Sequence, residues 1–348
     1  MAIDYALNYA DMFTAVASIL EAKLVPFITS SPGCGKSALV KDLADKYNME
    51  LIDIRLSMLE PTDISGLPNF NSKGEAYFAP FNIFPLESTP LPKGKEAFLI
   101  FLDEFNAASK QTAAAAYKLV LDRQVGNYNL HPDCYIVCAG NRSSDRAIVN
   151  NLGTALQTRL IHLSLEVEYQ AWMDTVAIPQ KYDYRITSFL AQYPALLNNF
   201  NPEHTVNTYA VPRTWEFTNR LIKDKEITPL HSAVLAGTIG TEVALQFIQY
   251  SKVYEGLPTI ASIVADPATA LLPTDTPSKW AILSLLLENA NEENIGMFAM
   301  YSERFGMDLR VYFLRCIAKQ HPTLMRHPKL SQTIMELSRY LHSSGLLT

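Results

Sequence analysis

Residues 30–39 read SSPGCGKSAL, set between the apolar run VPFIT (25–29) and KSALVKDLADKY, whose pattern is helical. A strand that leaves through a glycine-rich turn into a helix is a narrow specification. Gly33 and Gly35 let the backbone approach a ligand closely, and the following helix aims the positive end of its dipole at an anion. Lys36 is then placed to reach the β and γ phosphates of a nucleotide, and the Ser37 hydroxyl to ligate magnesium. The turn departs once from G-x-x-x-x-G-K-[S/T]: Ser30 stands where that pattern has glycine. That position makes the strand exit and holds no phosphate, and a serine enters it if its φ is negative. The candidate binding residues are Pro32, Gly33, Cys34, Gly35, Lys36, Ser37 and Ala38.

The rest of the first half repeats the alternation. LIDIRL (51–56), AFLIFL (97–102), CYIVCA (134–139) and LIHLSL (160–165) read as further strands, with SKQTAAAAYKLVLDR as a helix between the third and fourth of the five. Strands alternating with helices argue for a parallel sheet covered on both faces. The opening DYALNYADMFTAVASILEAKL reads as an amphipathic helix with Ala6, Ala10, Phe13, Ala17, Leu20 and Leu24 on its apolar face. After Glu166 the pattern turns helical throughout, punctuated by prolines. The expected division is an α/β domain over 1–166, a helical lid over 167–253 and a C-terminal helical region over 254–348.

Two strand ends carry the remaining chemistry. AFLIFLDEFN ends in Asp103 and Glu104. A carboxylate beside a phosphate loop holds magnesium, which puts Asp103 with Ser37 as metal ligands, and the adjacent Glu104 polarises water as a general base. YIVCAGN ends in Asn141, which is placed to hydrogen-bond the attacking water or the γ-phosphate.

Composition limits the alternatives. The 348 residues exceed what one core fills. The net charge is −6, and no block of Lys and Arg reaches five, which weighs against a dedicated nucleic-acid binder. Cys134 and Cys138 fall on one face of a strand with no second pair, so the four cysteines read as buried thiols of a cytosolic protein rather than a zinc site. There is no apolar run of 18 residues and no basic-then-apolar leader, so a cytoplasmic location away from the membrane is expected.

With these residues assembled, roughly residues 1–225 resemble the AAA+ ATPases, and within them the MoxR-like, dynein-related group. LIDIRLSMLEPTDISGLPNF looks like that group's second strand followed by E-P-x-D-x-x-G (Glu60, Pro61, Asp63, Gly66), ahead of an insert at about 67–96. KQTAAAAYKLVLDRQVGNYNLHPDCYIVCAGN is similar to its helix, hairpin and sensor strand, the hairpin centring near Gly126 and Asn127. GTALQTRLIHLSLE resembles the segment with the arginine finger, at Arg159, and AVPRTWEFTNRL the lid helix with a second sensor arginine, at Arg213. Arg142, Arg146 and Arg220 are rivals ranked lower. The sequence departs from the group after Asn141, where it reads AGNRSS instead of T-x-N-P, and the resemblance does not extend to the last hundred residues, which are either a target-binding bundle or part of the ring.

The resemblance implies a P-loop sheet of five parallel strands in the order 5-1-4-3-2, a helical lid, and a ring, most often a hexamer. ATP and Mg²⁺ would lie between protomers. Glu104, Asn141 and Arg213 would act within one subunit, and Arg159 would enter its neighbour's site. It also implies a chaperone-like remodeller of a protein target, working with a partner that carries a von Willebrand factor A domain. In the insert, Phe78, Phe81 and Phe84 either grip a polypeptide or pack against the sheet. The rival readings are an AAA+ helicase loader or translocase on nucleic acid, which would want more basic residues than Lys73, Lys93, Lys95 and Arg123, and a nucleotide-gated scaffold that does not hydrolyse.

Overall fold

The computed structural model describes residues 5–145, 150, 153–203, 206–252 and 257–343. The chain forms two compact units, Met1–Glu168 with Asn201–His204, and Tyr169–Phe200 with Thr205–Thr348.

The first unit is built on a parallel sheet. Its strands are β1 (Ala6–Leu7), β2 (Pro26–Ser30), β3 (Met49–Arg55), β6 (Ala97–Asp103), β9 (Cys134–Asn141) and β10 (Ile161–Leu165), in the order β1-β10-β2-β9-β6-β3. The five expected strands keep the succession 5-1-4-3-2, but the sheet has six. The added edge strand, β1, pairs Ala6 with Ser164 and Leu7 with Leu165. This corrects the reading of the opening segment as helix from its start. Asn8 ends that strand and caps α1 (Tyr9–Glu21) by accepting from the Asp11 N–H. The buried stripe of α1 is Met12, Val16 and Leu20, and Leu24, expected on that face, lies beyond the helix and is exposed.

Strand β6 shows why the sheet is buried on both sides. Phe98, Ile100 and Leu102 point to one face and join Ala116, Leu119 and Val120 of α4 (Lys110–Leu121). Leu99 and Phe101 point to the other, against α1 and against Leu39, Val40 and Leu43 of α2 (Lys36–Lys46). The period of two along a strand requires that split, and a run apolar at every position satisfies both faces. Cys134 and Cys138, two pleats apart on β9, are buried on the α4 face.

Glu60-Pro61-Thr62-Asp63-Ile64-Ser65-Gly66 also has a local cause. Pro61 opens α3 (Pro61–Ser65), and Asp63 accepts the Glu60 N–H at 2.8 Å. At Gly66 (φ 90°) a Cβ would meet the Ala79 carbonyl oxygen at 2.5 Å. That close approach starts an antiparallel hairpin, β4 (Leu67–Phe70) with β5 (Ala76–Ala79). A second hairpin, β7 (Gln124–Val125) with β8 (Tyr128–Asn129), turns at Gly126 and Asn127 as expected.

The second unit is helical. Its helices include α7 (Tyr184–Gln192), α8 (Pro212–Ile222), α10 (Thr241–Ser251), α12 (Thr276–Glu288) and α14 (Met307–Gln320). Trp215 of α8 is fully buried, its ring 5.8 Å from Phe189 and 5.7 Å from Phe247, and its indole N–H satisfied by the Leu196 carbonyl at 2.9 Å. Among the described residues no helix is long and apolar enough to cross a membrane.

Candidate active site

Three parallel strands end at one edge of the sheet, and the candidate residues sit on those ends. Ser30 of β2 pairs with Asn141 of β9, while Asp103 closes β6 opposite Arg55 of β3. Ligands of open parallel sheets bind beyond the carboxyl ends of the strands.

The loop after β2 takes the shape its glycines permit. Positive φ falls on Gly33 (78°) and Gly35 (97°) and not on Ser30, so the serine stands at the strand exit without strain. Ser30 is fully buried and donates its hydroxyl to the Ser31 carbonyl at 2.9 Å. Gly35 caps α2 with no side-chain bond, and no acid occupies the first turn, which leaves that helix end open to an anion. Lys36 folds back over the loop, its ammonium donating to Ser30 O at 3.2 Å, Ser30 Oγ at 3.0 Å and Asn141 Oδ1 at 3.2 Å. Pro32 is half-buried, Cys34 buried and Ala38 exposed. Burial raises the Cys34 thiol above its usual range, against the pull of Lys36 and Arg142.

Ser37 donates to Asp103 Oδ2 at 3.3 Å. Among the described residues no three His, Cys, Asp or Glu side chains converge. A divalent cation here would take a hydroxyl and a carboxylate from the chain and its other oxygens from phosphate and water, which is the donor set magnesium favours. Asp53, on the neighbouring β3, is raised in pKa by burial and then by the charge of Asp103.

Glu104 follows Asp103 in a left-handed conformation (φ 53°), its N–H bonded to Asp103 Oδ1 at 2.8 Å. Its carboxylate accepts from the Ser57 hydroxyl. A non-glycine residue held at positive φ carries strain, which marks the turn as constrained.

Asn106 and Ser57 belong to this edge and escape sequence reading. Asn106 is buried, donates its amide to Asn141 O at 2.7 Å and accepts the Asn141 N–H at 3.2 Å. A Cβ at Gly140 would lie 2.2 Å from Asn106 Oδ1, so glycine is required there. The available signal was a polar residue three places beyond Asp103.

The arginines separate. Arg142 fastens the end of β10, donating to Ser164 Oγ at 2.9 Å and Leu165 O at 3.0 Å and pairing with Glu166 at 3.3 Å. Arg220 is exposed and pairs with Glu216 on its own helix. Arg146 lies outside the described residues. Arg213 is exposed at the start of α8, in the second unit. Arg159 is exposed just ahead of β10. Because Ile161 pairs with Pro26, Arg159 stands at the amino ends of the strands, and the loop of its own chain lies past their carboxyl ends.

No known protein family's profile matches the chain, and no curated protein does. Among the solved structures that share a loose likeness with the chain are the following two. One is a protein of Cytophaga hutchinsonii described as an ATPase, 11% identical over 96% of this chain and 90% of that one, with a TM-score of 0.36. The other is a lysine-to-arginine variant of RuvB from Thermotoga maritima, 16% identical over 73% of this chain and 80% of that one, also at 0.36. Both likenesses are too loose to carry an assignment.

Proposed function

We propose that the chain is a magnesium-dependent ATP hydrolase of the AAA+ kind that remodels a protein target as a ring. The observation that carries the reading is the convergence of the Lys36 ammonium on Ser30 and Asn141 with the Ser37–Asp103 pair, at the carboxyl ends of β2, β6 and β9.

In this reading the backbone N–H groups from Gly33 to Lys36 and the α2 terminus cradle the phosphates. Lys36 exchanges its present oxygens for those of the terminal phosphates. Ser37 and Asp103 hold the cation, which when bound spreads the charge developing on the transferred group. Glu104, steered by Ser57, takes a proton from the attacking water, and Asn141 orients that water. Arg159 serves a neighbouring protomer and Arg213 reports on the nucleotide from the lid, 167–253, ahead of the region 254–348. A protein target is favoured over nucleic acid by the hairpin β4–β5, which exposes Leu67, Phe70 and Phe78 and carries one lysine, Lys73. Phe84 is buried and Phe81 partly exposed, so the aromatic residues of the insert divide between packing and surface.

The experiment is ATP turnover in wild type and Lys36→Ala, with and without magnesium. Turnover that needs both the metal and Lys36 upholds the reading, and turnover indifferent to either ends it. Stimulation by DNA, lost at high salt, would move the target to nucleic acid.

A further inference from the structure

The helical unit encloses a second site with chemistry of its own. A cavity of about 640 Å³ opens among the segment around Met173–Tyr182, α7, α12 and α14. That size is within the range of small-molecule sites. Met173, Ala177, Ile178 and Leu287 make its apolar wall, and Tyr182 and Tyr312 add ring faces with hydroxyls.

One turn of the wall is π-helical, Met173–Ala177, and the Ile178 N–H closes on the Met173 carbonyl five residues back at 3.0 Å. Such turns concentrate at functional sites. Asp174, on this turn, is held by Arg315 at 2.8 Å and Lys319 at 2.6 Å, two cations on one carboxylate. Lys223 donates to the Lys181 carbonyl at 2.6 Å, which brings a further pair of ammonium-bearing residues to the rim. The other lining acid, Glu288, has its carboxyl pKa raised by burial and by Asp183 and Asp224. The cavity is apolar within, and its edge carries three lysines, Lys181, Lys223 and Lys319, against two acids, Asp174 and Glu288, with Asp174 taken up by Lys319 and Arg315.

We propose that this cavity binds a small amphipathic anion, an aromatic or branched apolar body bearing one acidic group. The body lies on Met173, Ile178 and Leu287, and the acid meets Lys181 and Lys223. The site is independent of the nucleotide reading.

The test uses two probes on the full chain, 1-anilinonaphthalene-8-sulfonate and its uncharged counterpart N-phenyl-1-naphthylamine. The sulfonate is expected to bind at one equivalent per chain, about tenfold tighter than the neutral probe, the worth of one charge-assisted contact. Lys181→Met with Lys223→Met should remove most of that difference and leave the neutral probe unmoved. Thr187→Trp should fill the cavity and exclude both probes while the circular dichroism and melting midpoint stay as in wild type. If Thr187→Trp misfolds, the lysine pair, at the rim, still decides. Lys36→Ala should change nothing, which separates this cavity from the phosphate loop. Absence of saturable binding, equal affinity for the two probes, or a sulfonate affinity unmoved by the lysine changes would each overturn the proposal.

Discussion

The Lys36 ammonium lies 3.2 Å from Asn141 Oδ1, so the first residue of α2 is tied to the last residue of β9. A contact that reaches across 105 positions of sequence fixes the loop against the sheet. Replacing Lys36 with alanine removes this bond and those to Ser30. Nucleotide affinity should fall about thirtyfold, from the loss of about 2 kcal/mol of charge-assisted bonding. Titration with a fluorescent ATP analogue checks it, and unchanged affinity would remove Lys36 from the site.

Gly140 and Asn106 make the next prediction. Gly140→Ala drives a methyl to within 2.2 Å of Asn106 Oδ1 and should cost about 1–3 kcal/mol, the usual scale for overpacking. In an Asn106→Ala background the same change should cost less, because the clashing amide is gone. The coupling is read from a double-mutant cycle in urea. Strict additivity would show that the two residues do not share this contact.

Glu104→Gln should bind ATP as wild type does and lose turnover by about 10²–10⁴-fold, the range for a positioned proton acceptor. Ser57→Ala should lower turnover by less, because it removes only the hydroxyl that steers the carboxylate. Single-turnover rates at saturating nucleotide distinguish the two. Wild-type turnover in Glu104→Gln would refute the general-base role.

How much of this was legible in sequence depends on how far a residue's partners lie along the chain. The loop from Ser30 to Ser37 declares itself because its turn, its helix start and its strand are contiguous. Asp103 and Asn141 were readable because each ends an apolar run whose length alone says strand. Asn106 and Ser57 were not, since their partners lie 35 and 47 positions away and nothing local marks them. Strand β1 was lost for a different reason. Two residues are too few to show a period, and Ala6 completes a helical stripe as readily as a pleat. The alanines misled further along α1, where Ala10 stood in for the buried position that Met12 fills.

The thiols give a pH prediction. Burial pushes Cys134 and Cys316 up to about 12 and Cys138 higher still, and it raises Cys34 as well. The thiolate is the reactive form, so a raised pKa keeps these groups protonated as pH rises. An ordinary thiol would be mostly ionised at pH 9. Here a disulfide reagent should label Cys134, Cys138 and Cys316 little at pH 7 or at pH 9, and all four cysteines once the chain is unfolded in guanidinium. Rapid labelling of those three in the native protein at pH 9 would show that they are open to solvent.

Arg159 decides whether the sites are shared. It precedes a strand parallel to β2, with Ile161 level with Pro26, while the loop begins beyond Ser30. Four residues of strand rise about 13 Å, and the loop lies past the far end of that distance. An arginine so placed cannot serve its own loop without crossing the sheet, and it is exposed, as a residue that enters a neighbour's site must be. Arg159→Ala should therefore leave ATP binding intact and reduce turnover by about 10³-fold or more, the scale of an arginine finger. Wild-type turnover per protomer should climb with protein concentration as rings form. Adding an excess of Lys36→Ala protein, which keeps Arg159 but binds nucleotide poorly, should restore turnover to Arg159→Ala protein, because each mixed interface then holds one intact loop and one intact arginine. Failure of that rescue, together with turnover that does not vary with concentration, would mean that each subunit hydrolyses alone, and the ring would have to be abandoned while the loop kept its nucleotide.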